Sequence, residues 1–253
     1  MTETAKQWSP KAKARLAGVF EAFEGFTSSW GQVTVLGKLL VVGNATGTAA
    51  NILQHETLFR WGFLSSLLGV AFHLVWGFLF YQLFRPVNKS VSLCAAFVIL
   101  ITCALQAVTA LLYFAPLLVL TAGSSLSALT QPQLEALAYA FLKLNGLAMD
   151  TNLVFFGLWC VLTGYLIFRS SFIPRILGVL LAVDGLGWMI FMWPPLGHYL
   201  FLPIAVASGL AEIPLQLWLL IFGVNNERWK AQAEGVKRSN SVQGLVVHHV
   251  CET

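Results

Sequence analysis

The chain has 253 residues, of which 57% are apolar and only 10% charged. Soluble domains carry roughly 25% charged residues, so a water-exposed surface is excluded for most of this chain. The net charge of +4 does not point to nucleic acid, because the basic residues sit at the ends of apolar runs, where they set topology.

Met1–Arg15 is charged, and no short apolar stretch with a small-residue cleavage site follows it. A cleaved signal peptide is therefore not expected. Leu16–Leu36 reads LAGVFEAFEGFTSSWGQVTVL, which is helix-length but carries Glu21 and Glu24. Gly37–Arg60 is rich in small residues and should fold back over the helix ends. Five long apolar runs follow: Trp61–Phe84, Val91–Leu120, Leu147–Phe168, Ile176–Trp193 and Leu200–Phe222. Each approaches or exceeds the roughly 20 residues that cross about 30 Å of hydrocarbon as a helix. Only helices or a closed barrel satisfy the backbone in lipid, and these runs are too long and too uniform for barrel strands. Between the runs, the loop Thr121–Ala136 should begin a short helix near Thr130, with Gln133 as capping-box partner. Pro194–Tyr199 is short and aromatic-flanked, and the tail from Asn225 is polar and expected to be mobile.

Charge placement resolves the first segment. If Leu16–Leu36 crosses from a cytoplasmic N-terminus, the inner segments hold Lys6, Lys11, Lys13, Arg15, Arg85, Lys89, Arg169, Arg175, Arg228, Lys230, Lys237 and Arg238. The outer side keeps only Lys38, Arg60 and Lys143. That is the bias of the positive-inside rule. The expected architecture is all-α: an integral membrane bundle of six transmembrane helices with both termini cytoplasmic. It comprises a basic segment 1–15, a six-helix domain 16–224 and a polar tail 225–253, placed in a bacterial inner membrane.

Val41–Ile52 (VVGNATGTAANI), Leu58-Phe59-Arg60, Arg85–Ser90 (RPVNKS), Leu153–Gly164, Tyr165–Gly187 (YLIFRSSFIPRILGVLLAVDGLG), Glu212 and Leu217–Val224 together resemble an uncharacterised bacterial multi-pass membrane family, the domain of unknown function DUF4386. The resemblance touches most of the chain from Arg15 to Val224 and implies a compact six-helix membrane fold. It implies no activity. It also implies acidic or His residues where this chain has Asn44, Ser66, Asn145 and Trp159.

An ionisable side chain inside a span costs roughly 2.5–3.5 kcal/mol on insertion scales, so each is a functional candidate. His73, Gln106, Asp184 and Glu212 lie about halfway along four different runs. They could build one ligand-binding or proton-relay site, with Asp184 and Glu212 as proton acceptors, His73 as relay and Gln106 as orienter. The alternative is separate interhelical hydrogen bonds worth about 0.6 kcal/mol each. Glu212 should face the interior, neutral or paired with His73. Glu21 and Glu24 are secondary candidates near the inner side, and Asn145, Asp150 and Asn152 near the outer end. Cys94, Cys103 and Cys160 read as small apolar fillers. No zinc-type spacing and no H-E-x-x-H, G-x-S-x-G or P-loop is present. No catalytic residue, metal or cofactor is therefore expected. The expected role is a non-catalytic binder or transporter of a small or amphipathic molecule. The alternative is an accessory subunit beside a larger membrane complex. Expected partners are the bilayer and such a complex or a small apolar ligand. On this topology, a cysteine placed at Ser125 should label from outside and one at Ser239 from inside. Labelling of both from one side would refute it.

Overall fold

The structure is a computed structural model that describes residues 8–235. The expectations for Lys6 and for the tail beyond residue 235 lie outside the described residues. The described residues are almost wholly helical and contain no strand. Ser9 starts α1 (Pro10–Ser29): its Oγ accepts from Ala12 N at 3.2 Å, with Pro10 in the first turn, where a missing N–H costs nothing. The rod continues without a break through a π-helical segment, Trp30–Val35, into α2 (Leu36–Leu39). Then come α3 (Ala45–Gln54), α4 (Glu56–Phe84), α5 (Lys89–Leu120), α6 (Gln131–Arg169), α7 (Arg175–Met189), α8 (Pro194–Tyr199) and α9 (Phe201–Ile221). By length and composition α4, α5, α6, α9 and the stretch Arg175–Met192 can each cross a membrane.

Two element boundaries differ from the sequence expectation. The capping box forms, with Thr130 N donating to Gln133 Oε1 at 2.8 Å, but α6 then runs unbroken to Arg169. After Pro132 no proline interrupts it, so nothing stops the helix before the apolar run begins. α7 in turn stops at Met189 and passes through a 3₁₀ turn, Ile190–Met192, because Pro194 and Pro195 lack the N–H groups that would extend it.

The long helices close a ring in chain order: α1 on α4, α4 on α5, α5 on α6, α6 on α7, α7 on α9, and α9 back on α1. Trp76, Phe80, Trp159, Leu181 and Leu215 fill its interior. Phe78, Phe97, Leu111 and Leu210 stand exposed outside, as lipid-facing side chains do.

At the basic end, Arg15 Nη2 donates to Ile221 O at 2.8 Å, capping α9 with a cation. Polarity suggests a free tail, yet residues 226–235 are helical and docked there. Trp229 Nε1 donates to Leu83 O at 2.8 Å, and Ser171 N to Gln232 Oε1 at 3.1 Å. Leu83 O belongs to the last turn of α4, whose carbonyls lack intrahelical partners; the tail supplies one. At the opposite end α3 folds back over the bundle. Asn44 Oδ1 caps it from Gly47 N at 2.8 Å, Gly43 N donates to Tyr139 Oη at 2.7 Å, and Ile52 is buried completely.

Glycine sets the α6–α7 approach. A Cβ on Gly164 would sit 2.6 Å from Gly178 O and 2.9 Å from Ala182 N; one on Gly157 would sit 2.5 Å from Gly185 O. Small residues let transmembrane helices pack backbone to backbone. Gly164→Val should therefore destabilise the bundle by about 1–3 kcal/mol. Gly146→Ala, whose Cβ meets nothing within 4 Å, should be neutral or stabilising. Thermal unfolding in detergent separates the two, and equal melting of both variants would contradict the packing argument.

Candidate functional site

The interior polar residues form two groups. The first joins α1, α4 and α5. His73 Nδ1 lies 3.0 Å from Gln106 Oε1, which can only accept, so the ring proton is on Nδ1. Gln106 Nε2 donates to Glu24 Oε1 at 3.1 Å, and Ser28 Oγ donates to the same oxygen at 3.0 Å. Glu24 Oε1 is also 3.7 Å from His73 Nδ1. Thr102 Oγ1 stands 3.5 Å from His73 Nε2 and donates to Ile99 O at 2.8 Å. Beside Gln106, a cavity of about 20 Å³ is lined by Ser28, Gln32, Ser66, Thr109 and Met149. It has room for a single water.

The second group joins α6, α7 and α9. Donor atoms of Cys160, Asp184 and Glu212 all lie within 4.8 Å of one another. Each of the three residues is nine positions from the basic end of its helix: Cys160 before Arg169, Asp184 after Arg175, Glu212 before Ile221. At 1.5 Å per residue this is a common depth of about 14 Å. Ser208 Oγ donates to Glu212 Oε1 at 2.8 Å, one turn away on α9. Asp184 is 1% exposed, and neither of its oxygens has a hydrogen-bond partner, although Glu212, Cys160, Ser208 and Trp188 surround it. A buried group without a partner is rare enough to need a reason.

Between the groups stand two indoles. His73 meets Trp76 edge-on with centroids 4.6 Å apart, and Trp76 packs on Trp159 at 4.5 Å. Glu21, one turn from Glu24, is within electrostatic reach of both Glu24 and Glu212, and its Oε2 is unpartnered. His73, Gln106, Asp184 and Glu212 thus all face inward without lining one cavity. Glu212 is not paired with His73. The reason is topological: α9 packs on α7 and α1 while α4 packs on α1 and α5, so the two residues join different groups, with Trp76 and Trp159 packed between them.

Of the remaining candidates, Asn145 Nδ2 donates to Thr109 O at 2.8 Å, tying α6 to α5. Asp150 Oδ2 lies 3.0 Å from His198 Nε2 at the end opposite the basic one. Asn152 is buried with Oδ1 unpartnered. Sequence reasoning missed Cys160 and Ser208. A signal existed for the first: Gly157, Cys160 and Gly164 share one helix face at spacings of three and four residues. The glycines bring α7 close, and Gly185 carries Asp184 beside Cys160; a Cβ on Gly185 would sit 2.8 Å from the Cys160 Cβ.

An inward-facing polar interior inside an apolar, all-helical shell defines the chain as an integral membrane protein. Its family is the domain of unknown function DUF4386, which matches residues 16–223, and the chain belongs to it. No curated protein and no solved structure matches.

Gln106 bridges His73 and Glu24; without it the His73 N–H loses its acceptor, while Glu24 Oε1 keeps only Ser28 Oγ. Gln106→Leu should therefore cost about 1–3 kcal/mol for each partner left unpaired, whereas Gln106→Glu should retain an acceptor for the His73 N–H. A lower melting temperature for Gln106→Leu alone is the expected result. Equal melting of the wild type and Gln106→Leu would show that the bridge does not stabilise the bundle.

Proposed function

We propose that this protein is a non-catalytic, six-span membrane binder or carrier of a small or amphipathic cation, the proton included. The carrying observation is the acid-rich interior: Glu21, Glu24, Asp184 and Glu212 come from three helices, with no Lys or Arg in either polar group. Uncompensated carboxylates in a low-dielectric interior attract protons or cations. The sixth span is the rod from Pro10 to Leu39. It is more polar than the other five, with Lys11, Lys13 and Arg15 at its start and Glu21 and Glu24 further along. Phe23, Phe26 and Val33 stand exposed on its outside, while Gly18 meets α9 and Gly31 meets α4. The rod packs on α4 along α1 and the π-helical segment, and on α9 along α1, which places it beside helices of span length. The basic residues in the first turns of α1 (Lys11, Lys13 and Arg15), at the α4–α5 and α6–α7 turns and after α9 support a cytoplasmic location for both ends.

The test pairs chemistry with transport. A hydrophobic carbodiimide modifies protonated carboxyls in apolar surroundings and should label Glu212 or Asp184 in wild-type membranes. Proteoliposomes should show a proton or cation flux that Glu212→Gln reduces at least about tenfold, since this variant keeps the shape and hydrogen bonds but cannot ionise. If the interior acids resist the reagent and Glu212→Gln leaves flux and ligand retention at wild-type values, the reading fails and an accessory role is left.

A further inference from the structure

We infer that Cys160, Asp184 and Glu212 form a binding site for a divalent cation of the zinc class. The inference deepens the cation-binding reading above and rests on it. Three donors from three different helices converge at one depth, with their atoms within 4.8 Å of one another. A metal held at about 2.0–2.3 Å in tetrahedral geometry separates its donors by about 3.3–3.8 Å, so a side-chain adjustment of about 1 Å closes the site.

Asp184 is the independent indication. It is 1% exposed, neither oxygen has a well-formed hydrogen bond, and one of them lies within 4.8 Å of the Cys160 and Glu212 donor atoms. Glu212, Cys160, Ser208 and Trp188 stand within side-chain reach of it but complete no well-formed hydrogen bond; burying a carboxyl so poorly paired is costly, and a cation supplies a full partner. Cys160, completely buried, decides the class. A thiolate beside two carboxylates suits zinc and similar borderline ions, whereas magnesium and calcium prefer an all-oxygen shell. Three protein ligands leave a fourth position for water or an exchanging ligand. Trp76 and Trp159 shield the site from the His73 group. Binding displaces the thiol proton and any carboxyl proton to bulk, so affinity rises with pH.

The full chain, purified in mild detergent and stripped with a chelator, should take up one Co²⁺ and develop thiolate-to-cobalt charge-transfer absorption. Zn²⁺ should displace the cobalt one for one. Cys160→Ser should abolish the absorption while the variant elutes as a monodisperse peak. Substituting Cys94, Cys103 and Cys251 together by Ser should leave it intact. Asp184→Asn and Glu212→Gln should each weaken uptake by more than the roughly 10–100-fold that loss of a supporting hydrogen bond costs at metal sites. No thiolate absorption in the wild type, or absorption that survives Cys160→Ser, would overturn the inference. If proton flux and carbodiimide labelling persist without thiolate absorption, the metal site falls and the acid-interior reading stands. If the absorption forms while labelling and flux are absent, the metal site stands and the carrier reading falls.

Discussion

A carboxylate facing hydrocarbon at mid-membrane costs roughly 2.5–3.5 kcal/mol on insertion scales, and more on an isolated helix. Four such groups must be turned away from lipid at once, which fixes the rotation of α1, α7 and α9 about their own axes. Once Glu21 and Glu24 face inward, Phe23 and Phe26 necessarily face out. Once Asp184 faces inward, Gly185 and Gly178 are brought to the α6 seam. The closed ring of helices follows, because each acidic helix needs a neighbour on both sides to keep its polar face covered.

The same requirement explains the form of the interior. Polar groups in a dry bundle must satisfy one another. The His73 group does so through Gln106, whose amide accepts from the imidazole and donates to Glu24. The Asp184 group does not: Trp188 Nε1–H stands near Asp184 without completing a bond, and the two acids and the thiol offer mainly acceptors. Ser208 serves Glu212 and is then spent on it. Two polar groups at similar depth thus have different chemistry: one is a completed hydrogen-bond chain, the other an electron-rich cluster in want of a proton or a cation. Trp76 and Trp159 keep them apart as a dry partition.

Legibility in the sequence followed the physical scale of each signal. Apolar runs of span length and the Thr130–Gln133 capping box are local patterns, and both recur in the fold. Depth is also local: counting along each run puts His73, Gln106, Asp184 and Glu212 near the middle. The rotation of a helix about its axis and the identity of its neighbours are not local. That is why the sequence leaves Glu212 either neutral or paired with His73 while the fold puts the two in separate groups, and why Trp229, in a segment whose polarity suggests a free tail, is bonded to Leu83 O. Cys160 was read as filler because its meaning depends on what a glycine seam brings opposite it.

The sequence by itself determined a helical membrane protein, its long spans, the basic end and the depth of its polar residues, because hydrophobic length and charge act residue by residue against a flat bilayer. Only the tertiary structure decided which polar residues meet. It placed Gln106 between His73 and Glu24, and it set Cys160, Asp184 and Glu212 around one point while leaving Asp184 unpartnered. The reason is that contact across a bundle depends on helix order and on close backbone approach. Those follow from the whole set of packed side chains at once, not from any single run of residues.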